Sequence, residues 1–168
     1  QLKEAGKEPH LVNETYLANR RQLLGFLDRA EKEAGFSFAG KRVALLGAAF
    51  KRSTNDIRNS PAVDIVRVLA SRGTAEVRIY DPAAMGSFKA LFPPSRKIKY
   101  FPNEAKAVDS ADAVIIATDW PQFRGLGELL RGLEGRPLIM DGRRMLQHFY
   151  PELRKAGFPI IAVGSAFK

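Results

Sequence analysis

The sequence predicts an α/β fold: a doubly wound parallel sheet preceded by a long amphipathic helix. Three observations lead there. Short apolar runs recur at Val43–Leu46, Val77–Tyr80, Ile98–Phe101, Ala113–Thr118, Leu138–Met140 and Ile160–Val163. Between them lie helix-like stretches at Ala62–Ser71, Glu104–Ser110, Phe123–Leu133 and Met145–Ala156. Ahead of all of these, from Asn13 to Ala34, apolar residues fall at three- and four-residue steps among Arg and Glu.

Each element has a physical reason. Leu17, Leu23, Leu24, Leu27, Ala30 and Ala34 form the stripe of an amphipathic helix of about six turns, and Gly35 stands where a left-handed cap closes a helix. A helix this long cannot bury its stripe alone. It is therefore expected to pack on a partner chain or on a domain outside this sequence. The short runs are apolar throughout, as in strands covered on both faces of a parallel sheet. Their alternation with helices has the rhythm of paired mononucleotide-binding units, a Rossmann-like arrangement. Phe88–Arg96, with Pro93 and Pro94, reads as a surface connection. The chain thus divides into a helical segment, residues 1–37, and a sheet domain, residues 38–168.

Composition narrows the chemistry. A chain of 168 residues suits one well-cored domain with an appendage. Gln1 stands where a start Met would, so a piece of a longer protein is expected. The N-terminus lacks a signal-peptide pattern and no apolar run approaches the ~18 residues of a membrane span, so a cytoplasmic protein without membrane contact is expected. There is no cysteine, which excludes a thiolate nucleophile, a disulfide or Cys-bound zinc within this chain. His10 and His148 stand far apart with no acidic cluster, so no metal site is expected. The 27 Lys and Arg against 18 Asp and Glu give a net charge of +9. The charges are scattered, a bias toward phosphate-bearing ligands rather than a nucleic-acid patch.

Ligands of open parallel sheets sit at the carboxyl ends of the strands, so the residues that follow each run matter most. After the first comes Gly47-Ala48-Ala49-Phe50-Lys51, then Arg52 through Pro61. A dinucleotide fingerprint would place three glycines here, and only Gly47 is present. The loop is also long, because the next helix starts at Pro61 with Asn59 or Ser60 as its cap. Asp81, ending the second run, lies further from Gly47 than the ~20 residues expected of a ribose-binding acid. Dinucleotide binding at this point is therefore not expected. Lys51, Arg52 and Arg58 make the loop either a phosphate-facing element or a solvated basic loop. Trp120, in Thr118-Asp119-Trp120-Pro121, is either a stacking surface for a ligand or a plug over the sheet edge. Asp141-Gly142-Arg143-Arg144 adds two guanidinium groups to the same rim.

Taken together these residues are recognisable. Val43 through Lys51, followed by Asn55-Asp56-Ile57-Arg58-Asn59-Ser60-Pro61-Ala62, resembles the signature opening the C-terminal domain of the UDP-glucose/GDP-mannose dehydrogenase family, in particular its UDP-glucose 6-dehydrogenases. Tyr80-Asp81-Pro82, Ala111-Asp112-Ala113, Thr118 through Phe123 and Asp141 through Arg144 follow in the family's order. Val12-Asn13 and Asn19-Arg20-Arg21 are similar to the end of its central helix, which forms the dimer core. The resemblance runs from about Pro9 onward; Ala48 and Asp119 depart from the commoner Leu and Glu.

The resemblance implies a parent enzyme that oxidises the sugar C6 alcohol to a carboxylate, passing two hydrides to NAD through a cysteine thioester. The cysteine and the NAD domain would lie upstream, so this chain alone is expected to be inactive. It also implies substrate binding by Phe50, Lys51 and Arg143, with Lys51 pairing with the diphosphate or a sugar hydroxyl. Arg58 would reach across the cleft to NAD, and Trp120 is a further substrate-binding candidate. UDP or UDP-glucose would be the ligand, and a homodimer through residues 1–37 the assembly. The Trp120–Arg124 run leans toward UDP-glucose over an N-acetylated UDP-hexosamine or GDP-mannose. A stand-alone nucleotide-binding module and a nucleic-acid-binding protein are the competing classes.

Overall fold

The computed structural model describes residues 10–165. Residues 1–9 and 166–168, assigned above to the helical segment and to the sheet domain, lie outside the described residues, as do the side chains of His10, Val12 and Asn13. Helix α1 spans His10–Ala34. It closes where the sequence predicts: Gly35 takes φ +60°, and the Phe36 N–H donates to the Ala30 carbonyl at 2.8 Å, a left-handed cap that a Cβ would strain.

The second half of α1 is built into this chain. Leu27 and Ala30 are fully buried and Phe26 nearly so. Arg29 donates to the carbonyls of Ala162 at 2.8 Å and Ser165 at 2.6 Å, while Asp28 pairs with Arg72. This corrects the expectation that the stripe needs another chain or domain: that argument treated the helix as isolated, whereas the sheet that follows supplies its partner. The first half is different. The described side chains from Glu14 to Gln22 are exposed, Leu17 at 42% among them.

Strands β1 (Arg42–Leu46), β2 (Glu76–Tyr80), β3 (Ile98–Tyr100), β4 (Ala113–Ile116), β5 (Leu138–Asp141) and β6 (Ile160–Ala162) form one sheet. Every pairing is parallel, in the order β3-β2-β1-β4-β5-β6. The order reverses between β1 and β4, which is the switch point where such sheets open a crevice. β4, β5 and β6 are buried throughout, the consequence of helices on both faces. Helices α2 (Pro61–Ser71), α3 (Met85–Leu91), α4 (Glu104–Val108), α5 (Leu126–Arg131) and α6 (Tyr150–Lys155) make the crossovers. Right-handed connections put α2 and α3 on one face and α4, α5 and α6 on the other. The Arg72–Asp28 pair sets α1 beside α2.

Two sequence readings change. The predicted connection at Phe88–Arg96 begins inside α3 instead. Gly86 and Ser87 hide that helix from propensity, but Phe88 is fully buried and the Ala83 and Ala84 N–H groups are anchored on Asp81. The predicted helices after Trp120 and Met145 each open with a 3-10 turn, Pro121–Gly125 and Gln147–Phe149, before α5 and α6 begin.

Two buried carboxylates fasten the loops at the carboxyl end of the sheet. Asp81, 1% exposed, accepts from the N–H groups of Ala48, Ala49, Ala83 and Ala84 at 2.7–3.0 Å and from the Trp120 indole at 2.9 Å. Asp141 accepts from the N–H groups of Arg143, Met145 and Leu146 and from the Tyr150 hydroxyl. Gly47 allows the first loop to leave β1. Its φ is +94°, and a Cβ there would sit 2.5 Å from Thr118 Cβ and 2.6 Å from Thr118 N.

We expect Gly47→Ala to cost about 2–4 kcal/mol, because the clash is with backbone as well as side chain and the φ is left-handed. At roughly 2–4 °C per kcal/mol for a chain of this size, a melting curve reads it directly. Leu27→Ala should cost about 2–4 kcal/mol as a buried truncation, whereas exposed Leu17→Ala should stay within about 0.5 kcal/mol. Equal melting temperatures for those two variants would refute the docking of α1 on this sheet.

Candidate functional site

The loop from Gly47 to Pro61 is tied at several points. The Ser60 Oγ donates to the Ala48 carbonyl at 2.7 Å and also accepts from the Ala62 N–H at 3.2 Å, so one hydroxyl caps α2 and pins the start of the loop. Thr118 Oγ1 donates to the Ala49 carbonyl at 2.7 Å, and the Phe50 N–H donates to the Asp56 carbonyl at 2.8 Å. Ser53 and Asn59 turn the chain at φ +61° and +58°. The long loop is therefore a folded unit, held by Ser, Thr and Asp side chains where glycines would serve a dinucleotide loop.

Arg58 is already oriented within it. Its Nε donates to both oxygens of Asp56, at 3.0 and 3.1 Å, and its Nη2 to Oδ2 at 2.7 Å. These bonds, together with the one from the Arg58 backbone N–H, pull the Asp56 carboxyl down to about 2. The guanidinium is 87% exposed, so it stays available to a ligand.

At the end of β5, Asp141 fixes the turn that presents Arg143. Gly142 approaches so closely that a Cβ would lie 2.8 Å from the Ile116 carbonyl. The Arg143 Nε donates to the Ala117 carbonyl at 2.7 Å, steering its terminal nitrogens outward. The Tyr150 hydroxyl that completes this network is pushed up by burial first and by the Asp141 charge second, and stays protonated as a donor.

Phe50, Arg58 and Arg143 line one cavity of about 1070 Å³, bounded by the loop, α1, α2 and the ends of β4 and β5. Phe50 is 46% exposed, a large apolar side chain on an open wall. Two other predicted residues fall outside this lining. Lys51 is exposed on the loop and makes no ion pair or hydrogen bond among the described residues. Trp120 is 9% exposed and spends its indole N–H on Asp81, as the plug reading expects. Sequence reading assigned no site role to the α1 residues Thr15, Asn19 and Arg20 or to Arg67 of α2, which also line the cavity. The signal was present: Thr15, Asn19, Gln22 and Phe26 recur at helical spacing, a polar extension of the buried stripe.

The cavity walls thus carry several guanidinium groups, Asn19 and Asn59 amides, and Phe50, with Asp64 as the opposing carboxylate, 3.6 Å from Arg67. That set fits an anion attached to a flat or apolar group. A second cavity, about 660 Å³, opens at the amino ends of the strands beside Arg42 and Asp112, the end where open parallel sheets do not bind their ligands. Among the described residues no group of His, Cys, Asp and Glu is placed to hold a metal ion, and no helix is long and apolar enough to cross a membrane.

The chain is similar to known proteins along most of its length. Residues 44–148 match the family model described as the UDP-glucose/GDP-mannose dehydrogenase family, UDP binding domain. A UDP-glucose 6-dehydrogenase of Bacillus subtilis is 32% identical over 164 residues, covering 96% of this chain and 34% of that protein. One from Haloferax volcanii is 38% identical over 141 residues, covering 84% and 31%. The solved UDP-glucose dehydrogenase of Pyrobaculum islandicum superposes with a TM-score of 0.74 at 28% identity, over 98% of this chain and 34% of that one. A UDP-D-ManNAc dehydrogenase structure from Pyrococcus horikoshii gives a TM-score of 0.62, also at 28% identity, over 84% and 30%. The chain spans about a third of the length of these relatives. By the match along the sheet and the switch-point loop, it belongs to the UDP-glucose/GDP-mannose dehydrogenase family, whose UDP-binding domain it carries.

Proposed function

We propose that the chain is the UDP-sugar-binding portion of an NAD-dependent UDP-glucose 6-dehydrogenase, which converts UDP-glucose to UDP-glucuronate. The observation that carries this reading is the convergence of Phe50, Arg58 and Arg143 on one cavity at the carboxyl ends of the strands, in a chain of this family. Arg143, with its Nε engaged at 2.7 Å, offers its terminal nitrogens as a fork to a diphosphate oxygen pair. Phe50 supplies an apolar face for a ring. Lys51, unpaired on the same loop, swings to the phosphate or to a sugar hydroxyl. Trp120 acts indirectly, closing the Asp81 network beneath the loop.

NAD supplies the hydride acceptor when bound. The residues present fit it in one respect only, the exposed and preset Arg58 guanidinium, so the bulk of that site is assigned to the rest of the protein. With no cysteine in the chain, its residues bind and orient the nucleotide and leave the covalent step to the parent enzyme. By itself the chain is expected to be inactive. We further read the parent as a cytoplasmic homodimer joined through α1, since the exposed first half of that helix offers Leu17 to a partner.

Calorimetric titration with UDP tests the binding role. Saturable binding of UDP and of UDP-glucose is expected, with GDP-mannose weaker. No heat at about millimolar ligand would count against the reading, since that corresponds to less than about 4 kcal/mol of affinity. Running UDP-N-acetylhexosamines beside UDP-glucose asks whether this part of the protein distinguishes the sugar. Arg143→Ala should weaken UDP by about 10–100-fold, the loss of a charge-assisted contact.

Asp56 gives a separate check. Its folded value lies below the ordinary carboxylate value, so the Asp56–Arg58 pair is fully present above the ordinary value and is lost as pH falls toward about 2. Carbon-13 NMR should follow Asp56 to a midpoint near 2, and Arg58→Ala should raise it toward the ordinary carboxylate value while the backbone N–H of residue 58 keeps it below. An unchanged midpoint in that variant would show that Asp56 does not orient Arg58.

A further inference from the structure

In an open α/β sheet the first loop ordinarily turns its backbone N–H groups toward an incoming phosphate. This chain makes that arrangement and fills it from within. Asp81 Oδ2 accepts from Ala48 N at 2.7 Å, Ala49 N at 3.0 Å and Trp120 Nε1 at 2.9 Å. Its Oδ1 accepts from Ala83 N at 2.8 Å and Ala84 N at 2.7 Å. Every donor is a neutral N–H, and no Lys, Arg or His pairs with Asp81 among the described residues. The carboxylate is 1% exposed, with Ala48, Ala49 and Ala84 fully buried around it.

An ion buried without a counter-ion is costly unless its surroundings supply hydrogen bonds, and a concave set of backbone N–H groups is how proteins hold phosphate by dipoles alone. Salt-bridge energetics do not account for Asp81. Anion-site energetics do. The geometry also closes the approach: Ala49 carries a methyl group where the fingerprint has its second glycine, and the nearly buried Trp120 places its indole N–H on Asp81 Oδ2.

We propose that Asp81 is a built-in anion occupying the phosphate position of a dinucleotide-binding switch point, and that it is the residue that denies this position to NAD. The sheet keeps the architecture of a dinucleotide site while its ligand is directed to the cavity beside α1. The inference goes beyond the functional reading above and stands on the Asp81 geometry alone.

The test is chemical rescue of Asp81→Ala, in which the lost carboxylate leaves room for a formate ion. Asp81→Ala should melt well below the unsubstituted chain. Sodium formate at about 0.2 M should raise its midpoint by several degrees over sodium chloride at the same ionic strength, as expected for an anion that binds only the folded state. The unsubstituted chain and Leu27→Ala, destabilised elsewhere, should respond alike to the two salts. Equal responses of a folded Asp81→Ala to formate and chloride would overturn the proposal. A second measurement needs no substitution. NADH titrated to about millimolar should leave the Ala48 and Ala49 amide resonances unchanged. Saturable NADH binding that shifts those two amides would equally sink it, whether or not Asp81→Ala folds.

Discussion

The carboxyl end of this sheet depends on one buried carboxylate. Asp81 leaves β2 and gathers N–H groups from the loop after β1, from the entry to α3 and from the indole beyond β4. Three connections that are distant in sequence are thereby fixed to a common point. The loop that carries Phe50, Lys51 and Arg58 starts from that anchor, so the placement of the cavity wall follows from an interaction outside the cavity. Asp141 does for Arg143 what Asp81 does for the loop. Asp81 follows β2 and Asp141 closes β5, and each spends its oxygens on backbone N–H groups and one side-chain donor of the protein itself.

Much of the fold was legible in the sequence because its signals are local or periodic. Apolar runs gave the strands, and Pro61 with Ser60 gave the start of α2. Gly35 gave the end of α1 for a steric reason that holds in any context. What stayed hidden depends on distant partners. Nothing near Gly86-Ser87-Phe88 marks α3; its helical state rests on Phe88 entering the core and on a carboxylate several residues upstream. The docking of α1 was misread because a stripe reveals that it needs a partner, and not which partner.

The site divides along the same line. The positions of Arg58 and Arg143 after strands placed them on one rim, since topology alone brings strand ends together, while Phe50 and the roles of all three came from the family resemblance. Trp120 could not be resolved between ligand surface and plug, because the deciding atom, Asp81 Oδ2, lies far away in sequence. The α1 contribution escaped because a helix that looked like an appendage was not weighed as a wall. Asn19 and Arg20 are seen to line the cavity only once Leu27 and Ala30, further down the same helix, are known to be buried in the sheet.

That helix has a mechanical consequence. Its lower half is part of the core, and the described side chains above it, from Glu14 to Gln22, are exposed while Thr15, Asn19, Arg20 and Gln22 among them line the cavity. A continuous α-helix is a single rod, so the cavity wall and the exposed side chains are both positioned by the anchorage of Leu27 and Ala30 in the core. On the proposed function, a partner gripping Leu17 and a nucleotide in the cavity would share this one helix, and any coupling between them would be reciprocal.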